Sequence, residues 1–192
     1  MRQLVLILSI SALIFLIIGH AIQNLVIYPL ELWLRPFESV QLYSLCYLPH
    51  GFKAIAFCIL GGWAIIPAIL AQTLSGTLVY GVDTYRAIEG ALVGSGCFTL
   101  SLMSFNFYRK ASLFTKIISF EFSDSNRPLN LLLFAFWATL VNAIVSNVYW
   151  GAAEDYLFLK FALGDVIGAS VAVSVLIILR HLIYEKLKGY RE

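Results

Sequence analysis

Two charged residues, Lys53 and Asp165, stand inside long apolar stretches of this chain. A charge at the centre of a bilayer costs roughly 2.5–3.5 kcal/mol on insertion scales, so it faces protein or water rather than lipid tails. Lys53 follows the triplet Pro49-His50-Gly51, and Asp165 lies eight residues into a stretch that begins at Leu157, roughly 12 Å deep at 1.5 Å per residue. A facing Lys–Asp pair can lock helix register, hold a small polar ligand or ion, or pass a proton. Histidine is the residue type whose charge ordinarily changes near neutral pH, so His50 can join the last two tasks. The expectation is that Lys53 and Asp165 face each other or share a polar cavity. Proline and glycine at 49 and 51 leave backbone groups without helical partners, and such groups are tolerated at membrane depth only inside protein or against a wet cavity.

The elements that must position these residues follow from composition. Of 192 residues, 60% are apolar and 12% charged, with a mean hydropathy of +0.86. Soluble domains carry roughly 25% charged residues, so this chain cannot cover a water-facing surface. A soluble enzyme, a disordered chain and a disulfide scaffold are excluded, the last because Cys46, Cys58 and Cys97 are too few and scattered. The net charge of +2 implies no nucleic-acid partner.

Apolar stretches of about 20 residues place spans at 4–27, 40–60, 63–80, 86–107, 128–150 and 157–182. The expected fold is therefore all-α, a single domain over 1–192 and a polytopic bundle of six transmembrane helices. The second helix is broken at Pro49-His50-Gly51, and Gly61-Gly62 makes a tight reversal. Pro29, Arg35, Pro36 and Glu38 read as a loop. Gly19-His20-Ala21 mimics a signal-peptide cleavage site, but the apolar run resumes through Tyr28, so the first span is an anchor. Nine of the thirteen basic residues (Arg2, Arg109, Lys110, Lys116, Arg127, Arg180, Lys186, Lys188 and Arg191) fall on one side of this arrangement. That side, with both termini, is the cytoplasm. A single helix over Gly51 to Leu74 would instead put the basic ends on opposite sides. The loop Tyr108 to Arg127 reads either as an amphipathic helix on the inner leaflet or as a plain connection.

Small residues describe the packing. Gly90 and Gly94 form one close-approach step, and Gly164 and Gly168 another. Asn142 and Asn147 can hydrogen-bond across helices. No HExxH or CxxC spacing occurs, and Gly94-Ser95-Gly96 lacks the strand–turn–helix setting of a serine nucleophile. The chain reads as a non-enzyme with no metal and no cofactor.

Two segments resemble a known family. Tyr47-Leu48-Pro49-His50-Gly51-Phe52-Lys53, followed by Leu60-Gly61-Gly62-Trp63-Ala64-Ile65-Ile66-Pro67, is similar to the early core of MASE1-type bacterial integral membrane sensory domains. Phe161-Ala162-Leu163-Gly164-Asp165-Val166-Ile167-Gly168 resembles the Gly-Asp-x-x-Gly element of their final helix. The two motifs cover about a fifth of the chain, and Lys53 departs from the general pattern. The resemblance implies a sensory domain of a bacterial inner membrane; such domains are commonly longer and joined to cytoplasmic signalling modules, and by departing from that pattern this chain is expected to stand alone and act through another polypeptide. Its motifs hold Pro49, His50, Gly51, Lys53, Gly164, Asp165 and Gly168, the residues that depth and charge single out.

Three functions fit the sequence. A sensory or interaction subunit would bind a small molecule or a partner helix between helices 2 and 6 and signal through a partner docked on the 109–127 loop and the C-terminal tail. A solute-binding component of a multi-subunit transporter has similar size and helix count to the substrate-capture subunits of energy-coupling-factor transporters. A scaffold subunit would use the buried charges only to fix helix register.

Overall fold

The computed structural model describes residues 2–34, 44–108, 112–114, 127–150 and 157–189. Every regular element among them is helical: α1 (Arg2–Ile22), α2 (Tyr28–Leu34), α3 (Leu48–Leu60), α4 (Ile65–Leu78), α5 (Thr84–Tyr108), α6 (Arg127–Trp150) and α7 (Leu157–Gly189). Five stretches are long and apolar enough to cross a membrane: Leu6–Leu34, Leu48–Leu78, Thr84–Phe107, Leu129–Tyr149 and Phe161–Leu179. Large apolar side chains such as Leu25, Leu78, Phe107 and Val148 lie on the outer surface, which suits lipid as the solvent. The chain is a multi-pass membrane protein.

The first stretch runs further than the sequence suggests. Pro29, which the sequence places in a loop, sits inside the helical run, because a π turn over Gln23–Ile27 precedes it. The Tyr28 amide bonds to the Gln23 carbonyl, five residues back. This wider turn accommodates a residue that lacks an N–H and whose ring crowds the preceding carbonyls.

The second helix also differs from expectation. No helix covers 44–47; α3 starts at Leu48, with Pro49 in its first turn, where the missing donor costs nothing. The triplet Pro49-His50-Gly51 is thus the beginning of a helix and not a break in its middle; 40–43 lie outside the described residues. At the other end Gly61 adopts φ 60° and ψ −140°, followed by a 3₁₀ turn over Gly61–Ala64. A side chain would be strained in that conformation. The chain reverses here: Lys53 in α3 touches Gln72 in α4, and Tyr47 and Tyr80 line one cavity. A straight helix would hold Lys53 and Gln72 about 28 Å apart. The hairpin tip is held by Gly62 N–H donating to the Leu113 carbonyl at 3.0 Å and by Trp63 against Phe114. Of the 108–127 loop, 112–114 form this turn; the question of an amphipathic helix falls otherwise outside the described residues.

Around the bundle α1 packs on α4, α4 on α5, α5 on α6 and α6 on α7, while α3 closes the ring between α7 and α1 and also touches α6. Every residue of α3 from Leu48 to Cys58 except Phe52 is buried, so α3 is the inner helix. Its side chains meet Leu16, Ala68, Phe98, Phe134, Ala138 and Ala172 in one core. Because lipid tails are as apolar as leucine, such contacts gain little from the hydrophobic effect; close packing and buried hydrogen bonds hold the helices together. Asp83 starts α5 by accepting from the amides of Tyr85 and Arg86 at 3.0 and 3.4 Å, which satisfies donors that the first turn leaves free.

Candidate functional site

The start of α3 lies directly on α7 because both helices carry glycine at the contact. A Cβ on Gly51 would stand 2.6 Å from the Ala172 Cβ and 2.9 Å from the Gly168 carbonyl. One on Gly168 would overlap the Tyr47 backbone, and one on Gly164 the Ser44 backbone. Tyr47 N–H donates to the Gly164 carbonyl at 2.9 Å. Pro49, His50, Gly51, Gly164, Asp165 and Gly168 are therefore neighbours.

Within this contact His50 Nδ1 lies 3.0 Å from Asp165 Oδ2. Asn142 of α6 donates to the same carboxylate oxygen at 2.8 Å. His50 Nε2 is 3.0 Å from Thr139 Oγ1, and that hydroxyl lies 3.0 Å from the Ala135 carbonyl. The relay is sealed: His50 is 2% exposed and Asp165 3%, and the Phe98 ring lies tilted against the imidazole with centroids 4.7 Å apart. A hydroxyl has one proton to donate: when Thr139 gives it to the Ala135 carbonyl it can only accept from His50 Nε2, and when it turns toward Nε2 it donates there. The relay therefore has two hydrogen-bonding settings that differ by one hydroxyl rotation.

Lys53 takes a different partner from the one its charge suggests. Its ammonium donates to Gln72 Oε1 on α4, and Gln72 Nε2 in turn donates to the Gly90 carbonyl on α5 at 3.1 Å. The Phe98 ring lies 5.8 Å away, a distance at which a cation is attracted to the ring face. Gly94 makes room: a Cβ there would stand 3.0 Å from Gln72 Oε1. Gly90 and Gly94 thus serve the Lys53–Gln72 pair. Phe98 stands beside both polar groups, since it touches the His50 ring as well.

Of the two expected arrangements, facing each other or sharing a polar cavity, the structure gives Lys53 and Asp165 separate hydrogen-bond partners, Gln72 for the one and Asn142 and His50 for the other. His50 and Lys53 stand one turn apart on α3, about 60° apart around its axis, and that offset places His50 against Thr139 of α6 and Asp165 of α7 and Lys53 against Gln72 of α4. Asn142 serves the site rather than mere packing, and Asn147 is exposed on α6 without a hydrogen bond among the described residues. Thr139 and Gln72 are not among the residues that the sequence singles out. An amide inside an apolar span is a signal that could have found Gln72; threonine gives none, because its hydroxyl can always bond its own helix.

A second polar cluster caps α3. Glu31 Oε1 accepts from Ser44 Oγ and Cys46 N–H, each at 2.9 Å, and Gln23 Oε1 accepts from Leu48 N–H at 2.9 Å. A cavity of about 160 Å³ opens beside it, lined by His20, Tyr47, Gln72, Ser75, Tyr80 and Arg86 among others. Among the described residues no group of three or more His, Cys, Asp or Glu side chains could hold a metal ion, and the cysteines are free. No family model, curated protein or solved structure matches the chain.

Proposed function

We propose that this chain is a membrane-embedded sensory subunit of the MASE1 type, lodged in a bacterial inner membrane as a six-helix bundle with both termini cytoplasmic. The observation that carries the reading is the His50–Asp165–Asn142–Thr139 relay, which joins α3, α6 and α7 in a sealed interior. An ionisable group at membrane depth is costly unless it performs a task, and a relay with two hydroxyl settings supplies two states to bias. Charge placement supports the orientation: Arg109, Lys110, Lys116 and Arg127 share a side with the C-terminal tail. Counting α3 and α4 as separate crossings returns α7 to the side of α1's start. A ligand or proton change at the relay would shift α3 against α7, and a partner on the 109–127 loop and tail would read that shift. No catalytic step is assigned to the chain.

The experiment is native mass spectrometry of the protein in mild detergent. A retained small molecule or stoichiometric partner that Asp165→Asn releases supports the reading. A partner retained equally by wild type, Lys53→Ala and Asp165→Asn makes the chain a scaffold instead. The cavity at Gln72 and Arg86 favours one further reading, the solute-binding component of a multi-subunit transporter, which a retained solute and transport in reconstituted vesicles would distinguish.

A further inference from the structure

His20 of α1 and Ser75 of α4 are 4% and 6% exposed, yet neither imidazole nitrogen nor the Ser75 hydroxyl has a hydrogen-bond partner among the described residues. Leaving a buried polar group unpaired costs about 1–3 kcal/mol, so three such atoms side by side are expensive. Both residues line two neighbouring cavities, where these meet. On one side lies the cavity of about 160 Å³, with Tyr47, Gln72, Tyr80 and Arg86 in its lining. On the other lies a groove of about 170 Å³, walled by Ile17, Ala21, Leu74, Leu78 and Val79. One side is polar and the other purely aliphatic, apart from the two shared residues.

The charges select the sign of an occupant. Among the described residues, no acidic side chain lines either cavity. Arg86 stands in the polar lining and makes no ion pair among the described residues, and the Lys53 ammonium lies directly behind Gln72. The side chains of His20, Ser75, Tyr47 and Tyr80 can each donate a hydrogen bond, and a carboxylate accepts through two oxygens. A cavity near 150 Å³ holds a benzene-sized body, so the groove takes an aliphatic chain of about six to eight carbons.

We propose that His20 and Ser75 mark a binding site for a medium-chain carboxylate. The carboxylate enters the polar cavity toward Arg86, and the alkyl chain lies in the groove between α1 and α4. The site opens between lipid-facing helices, which suits a ligand that partitions into the bilayer. Gln72 ties the site to Lys53 and so to α3; this link to signalling rests on the sensory reading, whereas the binding does not.

The test is equilibrium binding of carboxyl-¹³C octanoate to the full chain in phosphatidylcholine nanodiscs, followed by NMR, with acetate and octanol as comparison ligands. Saturable one-to-one octanoate binding is expected, at least tenfold tighter than either comparison. His20→Phe, which removes both nitrogens and adds bulk where the cavities meet, abolishes it, and Ser75→Ala, which removes one donor, weakens it three- to tenfold while helical circular dichroism is unchanged. Gly96→Ala, which adds a methyl group in open space, leaves it within twofold. Octanoate binding that is absent, or unaltered in a folded Ser75→Ala protein, overturns the site. Equal binding of acetate overturns the alkyl groove, and equal binding of octanol overturns the anionic selectivity. Because the Asp165→Asn partner-release experiment is read separately, failure here and failure of the sensory reading are distinguishable.

Discussion

His50 on α3 and Asp165 on α7 meet at 3.0 Å inside a contact that only glycine permits, with Gly51 and Gly168 bringing the two backbones together around them. The buried pair and the glycine approach thus occupy the same α3–α7 contact.

Removing one partner should therefore cost more than removing both. Breaking a buried pair costs about 3–5 kcal/mol in soluble proteins, whereas hydrogen bonds within membranes average about 0.6 kcal/mol. Asp165→Ala is expected to fall between these, about 2 kcal/mol, and His50→Phe/Asp165→Ala to recover part of the loss. Reversible unfolding in mixed micelles measures the cycle; strict additivity of the single losses would contradict the pairing.

Glycine positions should sort by what surrounds them. Gly51→Val adds bulk where even one Cβ would lie 2.6 Å from Ala172. Overpacking a tight site costs roughly 1–3 kcal/mol, and here the obstacle includes backbone, so at least 3 kcal/mol or loss of folding is expected. A Cβ on Gly96 would meet only open space, and Gly96→Ala should leave the melting temperature within about 2 °C, given that 1 kcal/mol shifts it by ~2–4 °C at this size.

For Lys53 the order of the variants matters. Gln72→Leu leaves a buried ammonium without its acceptor, which is expected to lower stability by about 2 kcal/mol. Lys53→Met keeps the stem's volume, removes the charge and should be nearly neutral. The double variant should resemble Lys53→Met alone. A Gln72→Leu protein as stable as wild type in thermal unfolding would refute the assignment.

The hairpin predicts sidedness. With the native cysteines replaced, Trp63→Cys at the tip and Tyr85→Cys at the start of α5 should react with a membrane-impermeant maleimide from opposite faces of sealed vesicles, the former from the cytoplasmic face. Labelling of both from one face would contradict the proposed crossings.

Much of this is legible in the sequence because lipid makes polar residues conspicuous. The two glycine-bearing motifs, the residues His50, Lys53 and Asp165, the reversal at Gly61-Gly62 and the approximate extents of α5, α6 and α7 all stand out against an apolar background. The start of α3 is not legible: Pro49 interrupts and initiates helices with the same residue, and only the capping groups of Glu31 and Gln23, distant in sequence, decide which. The pairing is hidden for a related reason. Opposite formal charges suggest Lys53 with Asp165, but rotation of the helix aims a neutral-capable histidine there and gives the lysine an amide. Glu31 reads as a solvent-facing charge, yet it is buried against the approach to α3.

The inner position of α3 has a consequence for how the protein is made. Its His50 is separated by 89 residues from Thr139, and at about 5–20 residues per second the ribosome needs roughly 4 to 18 s to deliver that partner. Lys53 is served within its own hairpin as soon as α4 emerges. A newly inserted α3 thus waits with one polar group satisfied and the other not, and either an insertase must shelter it or it must stay near the lipid headgroups until α6 and α7 arrive to enclose it.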